Sequence, residues 1–266
     1  PGPARHDLGH ALEAEVRGDL NIPAPTPITD ADMLNLRTSL NFSWADIADL
    51  EGMQYATGVT KLLLSGNDLV GFSPLGGLTQ LTELSLASND ITDASPVAGL
   101  TNLADLNLYH NEIADISPVA GLTKLEDLDI GVNNLTDLSP VAGLTKLTKL
   151  DFASNQVADI SAVASLTDLT FLNGYFNKSV TDMSPVAGLT KLTELDLGYN
   201  LIDDMSSVAG LTNLTSLDLW YNQISDISAV AGLTNLTELS LSRNQIADAS
   251  PVAALANLTD LNLGTN

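Results

Sequence analysis

The sequence contains no cysteine, so neither disulfides nor thiolate-held metals contribute to what it builds, and the redox compartment stays open. No apolar stretch approaches the length of a membrane span, and membrane insertion is not expected. Aromatic residues are scarce: they make up 5% of the 266 residues, so a core must come from the Leu, Val, Ile and Ala that dominate the 44% apolar fraction. Basic residues are scarcer still, with 10 Lys and Arg against 33 Asp and Glu and a formal charge of -23. A field of that sign repels phosphate backbones and anionic headgroups, which removes nucleic acid and membrane surfaces from the expected partners. There is no HExxH, no phosphate-binding glycine loop and no Ser-His-Asp pattern, so neither an enzyme nor a cofactor is expected. His6 and His10, four apart with Glu13 beyond, share a face if helical but read as ordinary surface residues. The chain opens at Pro1 without Met or signal peptide, which reads as a mature form or an excised piece.

What is present is a repeat. Asparagine recurs at Asn67, Asn89, Asn111, Asn133, Asn155, Asn177, Asn200, Asn222, Asn244 and Asn266, in steps of 22 residues with one step of 23 after Asn177. Around each runs the frame L-x-x-L-x-L-x-x-N-x-I/L, and LTSLDLWYNQISDISAVAGLTN from Leu214 is one complete copy. Leu84 and Leu86 alternate with Ser85, the period-two pattern of a short strand with one buried face. The asparagines in register predict a ladder of side chains that bond backbone groups of neighbouring turns. A second ladder follows: Asp93, Asp115, Asp137, Asp159, Asp182, Asp204, Asp226 and Asp248, each two residues before a serine and often followed by Pro, as in Asp93-Ala94-Ser95-Pro96. Such a sequence starts a short helical turn, with Asp or Ser as the cap. Val97 and Leu100, three apart, then point inward, and Gly99, Gly121, Gly143, Gly188, Gly210 and Gly232 are expected to let the chain turn back.

These units resemble the bacterial leucine-rich-repeat class that includes the internalins, over residues 25 to 266. The resemblance implies an α/β solenoid, a right-handed coil with a parallel concave β-sheet, short 3₁₀ or helical turns on the convex side and a small helical N-terminal cap. The cap is placed at residues 1 to 58: a helix around Leu8, Leu12 and Val16, a proline break, a second short helix from Ile28, and a degenerate first repeat in which Ala45 replaces Asn. The array is placed at 59–266. It stops just after Leu261 and Leu263 without a C-terminal cap, so the chain is expected to be a monomer unless that open end self-associates.

In leucine-rich repeats the exposed strand positions line the concave face, where partners bind. Here they include Asp129, Asp151, Asp196 and Asp218 in one column and Tyr109, Tyr175 and Trp220 in the next, with His110, Phe176, Tyr199, Tyr221 and Arg243 in a third and Phe171 two positions earlier. Residues one repeat apart stack side by side, which predicts Phe176, Tyr199 and Tyr221 in one row with Tyr175 and Trp220 alongside, a grouping that resembles a binding hot spot. The plain alternative is mutual packing across strands. The acids are expected to face a partner's Lys or Arg or solvent rather than a metal, since calcium needs six or more converging oxygens and no dense loop motif exists. Gly174 stands where a core Leu is expected, and one residue is inserted before Val180, beside the aromatic row. The expected function is non-enzymatic recognition of a protein or a glycan by a secreted or surface-displayed bacterial module. The alternative is a structural spacer or assembly repeat of a larger surface protein.

Overall fold

Residues 9–266 are described by the structure, a computed structural model. The expectations placed on His6 and Leu8 lie outside the described residues. The chain groups into two units, one ending at Leu128 and one formed by Asp129–Asn266.

The first unit opens with α1 (His10–Leu20), which buries Leu12 and Val16 and ends where Asn21 turns left-handed. Arg17 bonds back to Glu13 one turn earlier. After the prolines, α2 (Asp30–Met33) is a single turn held by a capping box: the Asp32 amide donates to the Thr29 hydroxyl at 3.3 Å and the Thr29 amide to the Asp32 carboxylate at 2.8 Å. Strands β1 (Ser39–Asn41), β2 (Lys61–Leu63), β3 (Glu83–Ser85) and β4 (Asp105–Asn107) then pair in parallel and in chain order, with Leu40, Leu62, Leu84 and Leu106 in register. The division between the units falls within β5 (Asp127–Asp129).

The second unit repeats the plan with β6 (Lys149–Asp151), β7 (Phe171–Asn173), β8 (Glu194–Asp196), β9 (Ser216–Asp218), β10 (Glu238–Ser240) and β11 (Asp260–Asn262), again parallel and in order. In both units the middle residue of a strand and the next residue but one form the core, as with Leu84 and Leu86 or Leu217 and Leu219 at 0–1% exposure, while in the last strand, β11, Leu261 is exposed. Alternation therefore decides the two faces of each strand. The return limbs are five-residue 3₁₀ turns such as Ser95–Gly99 and Ser184–Gly188, which bury Val97 and Val186. From Ser95 onward serine is the first residue of each turn and Asp does the capping: the Ser95 amide donates to the Asp93 carboxylate at 2.8 Å and the Ser95 hydroxyl to its other oxygen at 2.9 Å. The same bonds hold the carboxyls of Asp115, Asp204 and Asp248 below the usual range.

The asparagine ladder joins each repeat to the one before. The Asn67 side chain donates to the carbonyls of Phe42 (2.9 Å) and Leu64 (2.8 Å), and its oxygen accepts from the amides of Ala45 (3.1 Å) and Ile47 (2.9 Å). In the second unit Asn222 donates to Leu197 and Leu219 at 3.1 Å and accepts from Ile202 at 2.9 Å. Each such side chain pairs core-facing backbone groups that would otherwise be buried without partners.

One expectation about glycine is corrected. The glycines from Gly99 to Gly232 do not take up left-handed conformations, and Ser165 and Ala254 fill the same position in other repeats. The left-handed residues are those just before the ladder asparagines: Ser88, His110, Val132, Ser154, Phe176, Tyr199, Tyr221 and Arg243, with φ of 52–58°. The strand must turn sharply there to bring the asparagine inward. Gly174 marks close approach, not a bulge: a Cβ on it would lie 2.3 Å from the Phe152 ring, and pairing on both sides of β7 is unbroken. Phe152 of the preceding repeat fills the volume a leucine would have taken. The inserted residue is absorbed after Asn177, where Lys178 adopts φ 64°.

Candidate functional site

Strands that end in Asp or Asn close with an Asx turn that presents the outer columns. In the second unit the Asp151, Asn173, Asp196 and Asp218 side chains accept from the amides of Ala153, Tyr175, Gly198 and Trp220 at 2.7–3.0 Å. These bonds fix the residue two positions on, which is Tyr175 or Trp220 in two of the repeats. The next position is the left-handed one, occupied by Phe176, Tyr199 and Tyr221.

The rings of this face meet. Phe176 and Tyr199 are 4.6 Å apart between centroids, and Tyr199 and Tyr221 are 4.3 Å apart and within 9° of parallel. Tyr175 and Trp220, two repeats apart, reach each other at 6.2 Å because the repeat between them carries Gly198 in that column. A Cβ on Gly198 would lie 3.2 Å from the Asp196 carboxylate and 3.3 Å from the Trp220 carbonyl. Trp220 also touches Tyr199 and Tyr221, each at 5.5 Å. The result is one shelf of five rings, of which Tyr221 is 40% exposed and the others half-buried. Two cations cover its ends: Lys178 lies 4.1 Å from the Phe176 centroid, and Arg243 about 6 Å from those of Trp220 and Tyr221.

Beside the shelf a slot of about 210 Å³ is lined by Phe171, Glu194, Asp196, Ser216 and Asp218, among others. Burial pushes the Asp196 carboxyl up to about 7, against the Gly198 amide bond and with Asp218 and Asp151 adding repulsion. Burial also raises Asp218, opposed by the Trp220 amide and the Ser240 hydroxyl. The Tyr175 phenol is raised by its own burial and by the charges of Asp196 and Asp218. Asp151 accepts a 2.8 Å bond from the Asn173 side chain. Among the described residues no group of three His, Asp or Glu is arranged to hold a metal ion.

The second unit therefore brings together Asp151, Tyr175, Phe176, Asp196, Tyr199, Asp218, Trp220, Tyr221 and Arg243, with Phe171 at the slot but outside the ring contacts. Asp129 is half-buried, its carboxylate accepting from the Gly131 amide at 3.0 Å. Tyr109 and His110 belong to the first unit, where they form an edge-to-face pair at 6.0 Å.

Sequence reasoning missed two residues. Trp44 is 77% exposed, occupies the left-handed position of the degenerate first repeat (φ 60°) and lies over Gly66, whose Cβ would be 2.3 Å from its ring. Its spacing of 22 residues from Gly66 was a usable signal. Lys178 is the inserted residue itself, which has no counterpart in other repeats and so belongs to no column.

Models of paired leucine-rich repeats match residues 101–143, 190–232, 212–253 and 234–266, and a single-repeat model matches 77–95 and 143–164. No curated protein matches the chain. Among solved structures, an internalin (inlF) of Listeria monocytogenes is 38% identical over 96% of this chain and 81% of its own, with a TM-score of 0.82. Internalin C2 (inlC2) of the same species is 32% identical over 95% and 92%, at 0.58. The structure of PEPR1-AtPEP1 is 25% identical over 86% of this chain and 35% of its own, at 0.75. The 22-residue frame, the parallel strands with their asparagine ladder and these likenesses agree: the chain belongs to the internalin-like family of bacterial leucine-rich-repeat proteins.

Proposed function

We propose that the chain is a non-enzymatic recognition module, secreted or displayed on a bacterial surface, which binds a protein through the exposed sheet face of its second unit. The carrying observation is the shelf of Tyr175, Phe176, Tyr199, Trp220 and Tyr221. It gathers five of the chain's twelve aromatic residues (5 Phe, 5 Tyr, 2 Trp) where the fold needs none. Phe176, Tyr199 and Tyr221 occupy left-handed positions, where a large L side chain costs about 1 kcal/mol or more and the equivalent Gly66 does not. Backbone economy thus argues against the aromatics, and clustered half-exposed Trp and Tyr are the residue types that dominate binding energy. The PEPR1-AtPEP1 neighbour, a two-component structure of this fold, supports a protein partner.

A protein fits better than a glycan. Sugars stack on open ring faces, but Tyr199 and Tyr221 cover each other and Lys178 covers Phe176. What they present is ring edges and phenol hydroxyls, suited to side chains and backbone amides.

Capture from a pool of surface and extracellular proteins tests the reading. The wild-type chain is expected to retain a protein that the Trp220→Ala/Tyr221→Ala variant does not, with the circular-dichroism spectrum unchanged. Equal retention by both refutes it.

A further inference from the structure

The partner's chemistry can be narrowed, and the narrowing rests on the shelf being the binding surface. The chain's own cations near the shelf are committed to its rings: Lys178 to Phe176, Arg243 to Trp220 and Tyr221. Asp196 and Asp218, beside the shelf, are not ion-paired among the described residues. The slot they line has an apolar wall from Phe171 and a volume of about 210 Å³, and its acids reach the shelf through the Trp220 amide and the Tyr175 phenol. A long side chain with an apolar stem and a positive head matches that lining at both ends. Because the surrounding field is negative, a cation is drawn in and an anion excluded.

We propose that the slot receives the guanidinium or ammonium head of an arginine or lysine presented by a partner protein, whose neighbouring residues rest on the ring edges of the shelf. Asp196 and Asp218 form the charged end of the slot and Phe171 flanks the stem.

The groups around Asp196 are Glu194 on its own strand, uncharged Phe171 and Asn173 on β7, Ser216 and Asp218 on β9, Asp151 on β6, and the Tyr175 phenol. Burial, with the charges of Asp218 and Asp151 adding repulsion, keeps a proton on Asp196 up to about pH 7. An entering cation displaces that proton, so binding strengthens as pH rises from 6 to 8, by up to about tenfold.

The test uses the full chain, ¹⁵N-labelled, and follows the two indole N–H signals, with Trp44→Phe to assign them. The probes are a capped five-residue peptide with one central arginine, its glutamine counterpart, and maltotriose. The Trp220 signal is expected to move saturably with the arginine peptide alone. Affinity should fall at least tenfold in Asp196→Asn/Asp218→Asn, which keeps the amide bonds that Asn173 already makes in its repeat, and should stay unchanged in Asp90→Asn/Asp203→Asn, which removes the same charge elsewhere. The proposal is overturned by no saturable shift, by equal binding of the glutamine peptide or maltotriose, by equal loss in both double variants, or by no loss in the first. If the captured protein is lost by Trp220→Ala/Tyr221→Ala but held by Asp196→Asn/Asp218→Asn, the shelf stands and the basic side chain falls. If both variants hold it, both readings fall.

Discussion

The two units share one backbone and present different surfaces. In the first, the three outer columns read Leu63, Ser85 and Asn107, then Ser65, Ala87 and Tyr109, then Gly66, Ser88 and His110, with Trp44 ahead of them. In the second, the same columns carry three close acids and five touching rings. Yet the leucine register, the 3₁₀ turns and the asparagine bonds are alike in both. The contrast separates two kinds of position. Those that bond or bury are fixed by the repeat, and those that face out from the strand are free for recognition.

If that separation holds, the largest effects fall equally on the two units. Asn89→Ala and Asn222→Ala each remove several buried hydrogen bonds and orphan backbone groups, so each is expected to lower stability by about 4 kcal/mol in urea unfolding. A gap of more than about 2 kcal/mol between them would break the claim that one backbone logic serves both units.

Binding should discriminate where stability does not. Once a captured partner is in hand, Trp220→Ala/Tyr221→Ala is expected to weaken it about 100-fold by calorimetric titration, and Tyr109→Ala/His110→Ala less than about threefold. The reverse order would move recognition to the first unit and make the shelf a packing feature.

The acid column gives the next effect. Asp196 is raised from its ordinary value of 3.8 to about 7, so the folded chain holds a proton that the unfolded chain has released. Stability therefore falls as pH climbs from about 4 to about 7, and the loss is complete above that window. Asp196→Asn is expected to be more stable than wild type at pH 8, on the order of 2 kcal/mol given partial solvent exposure, and no more stable at pH 4. The first unit has Leu63, Ser85 and Asn107 in this column and nothing there to titrate. A pH 8 melting temperature for Asp196→Asn at or below that of wild type would show that the acid carries no such cost.

The smallest effect concerns the left-handed column. Ser88→Gly in one unit and Ser154→Gly in the other remove the Cβ penalty at φ 54°, and each is expected to raise stability by about 0.5–1 kcal/mol in the same urea assay. Destabilisation by either would mean that the serine makes contacts worth more than the strain.

Much of this was legible in the sequence. The 22-residue spacing gave the repeat, alternation gave the strands, and registering the columns placed Phe176, Tyr199 and Tyr221 in one row. Three things were not legible. The glycines after each valine looked like the turning points, but the sharp turn falls on the residue before the asparagine, where no glycine is needed except at Gly66. Trp44 was obscured by Ala45, which breaks the asparagine pattern in its repeat. Lys178 falls outside every column, so no spacing rule points to the Phe176 ring.

By itself the sequence determined which residues face inward and which outward, because a period of two within a strand and of 22 between strands is a property of the chain alone. Only the tertiary structure decided what each outward residue meets: Phe152 in the volume left by Gly174, Tyr175 and Trp220 closing over Gly198, Asp196 shielded enough to keep its proton. Those outcomes depend on side chains one or two repeats away, whose sizes and charges combine in space and follow no period.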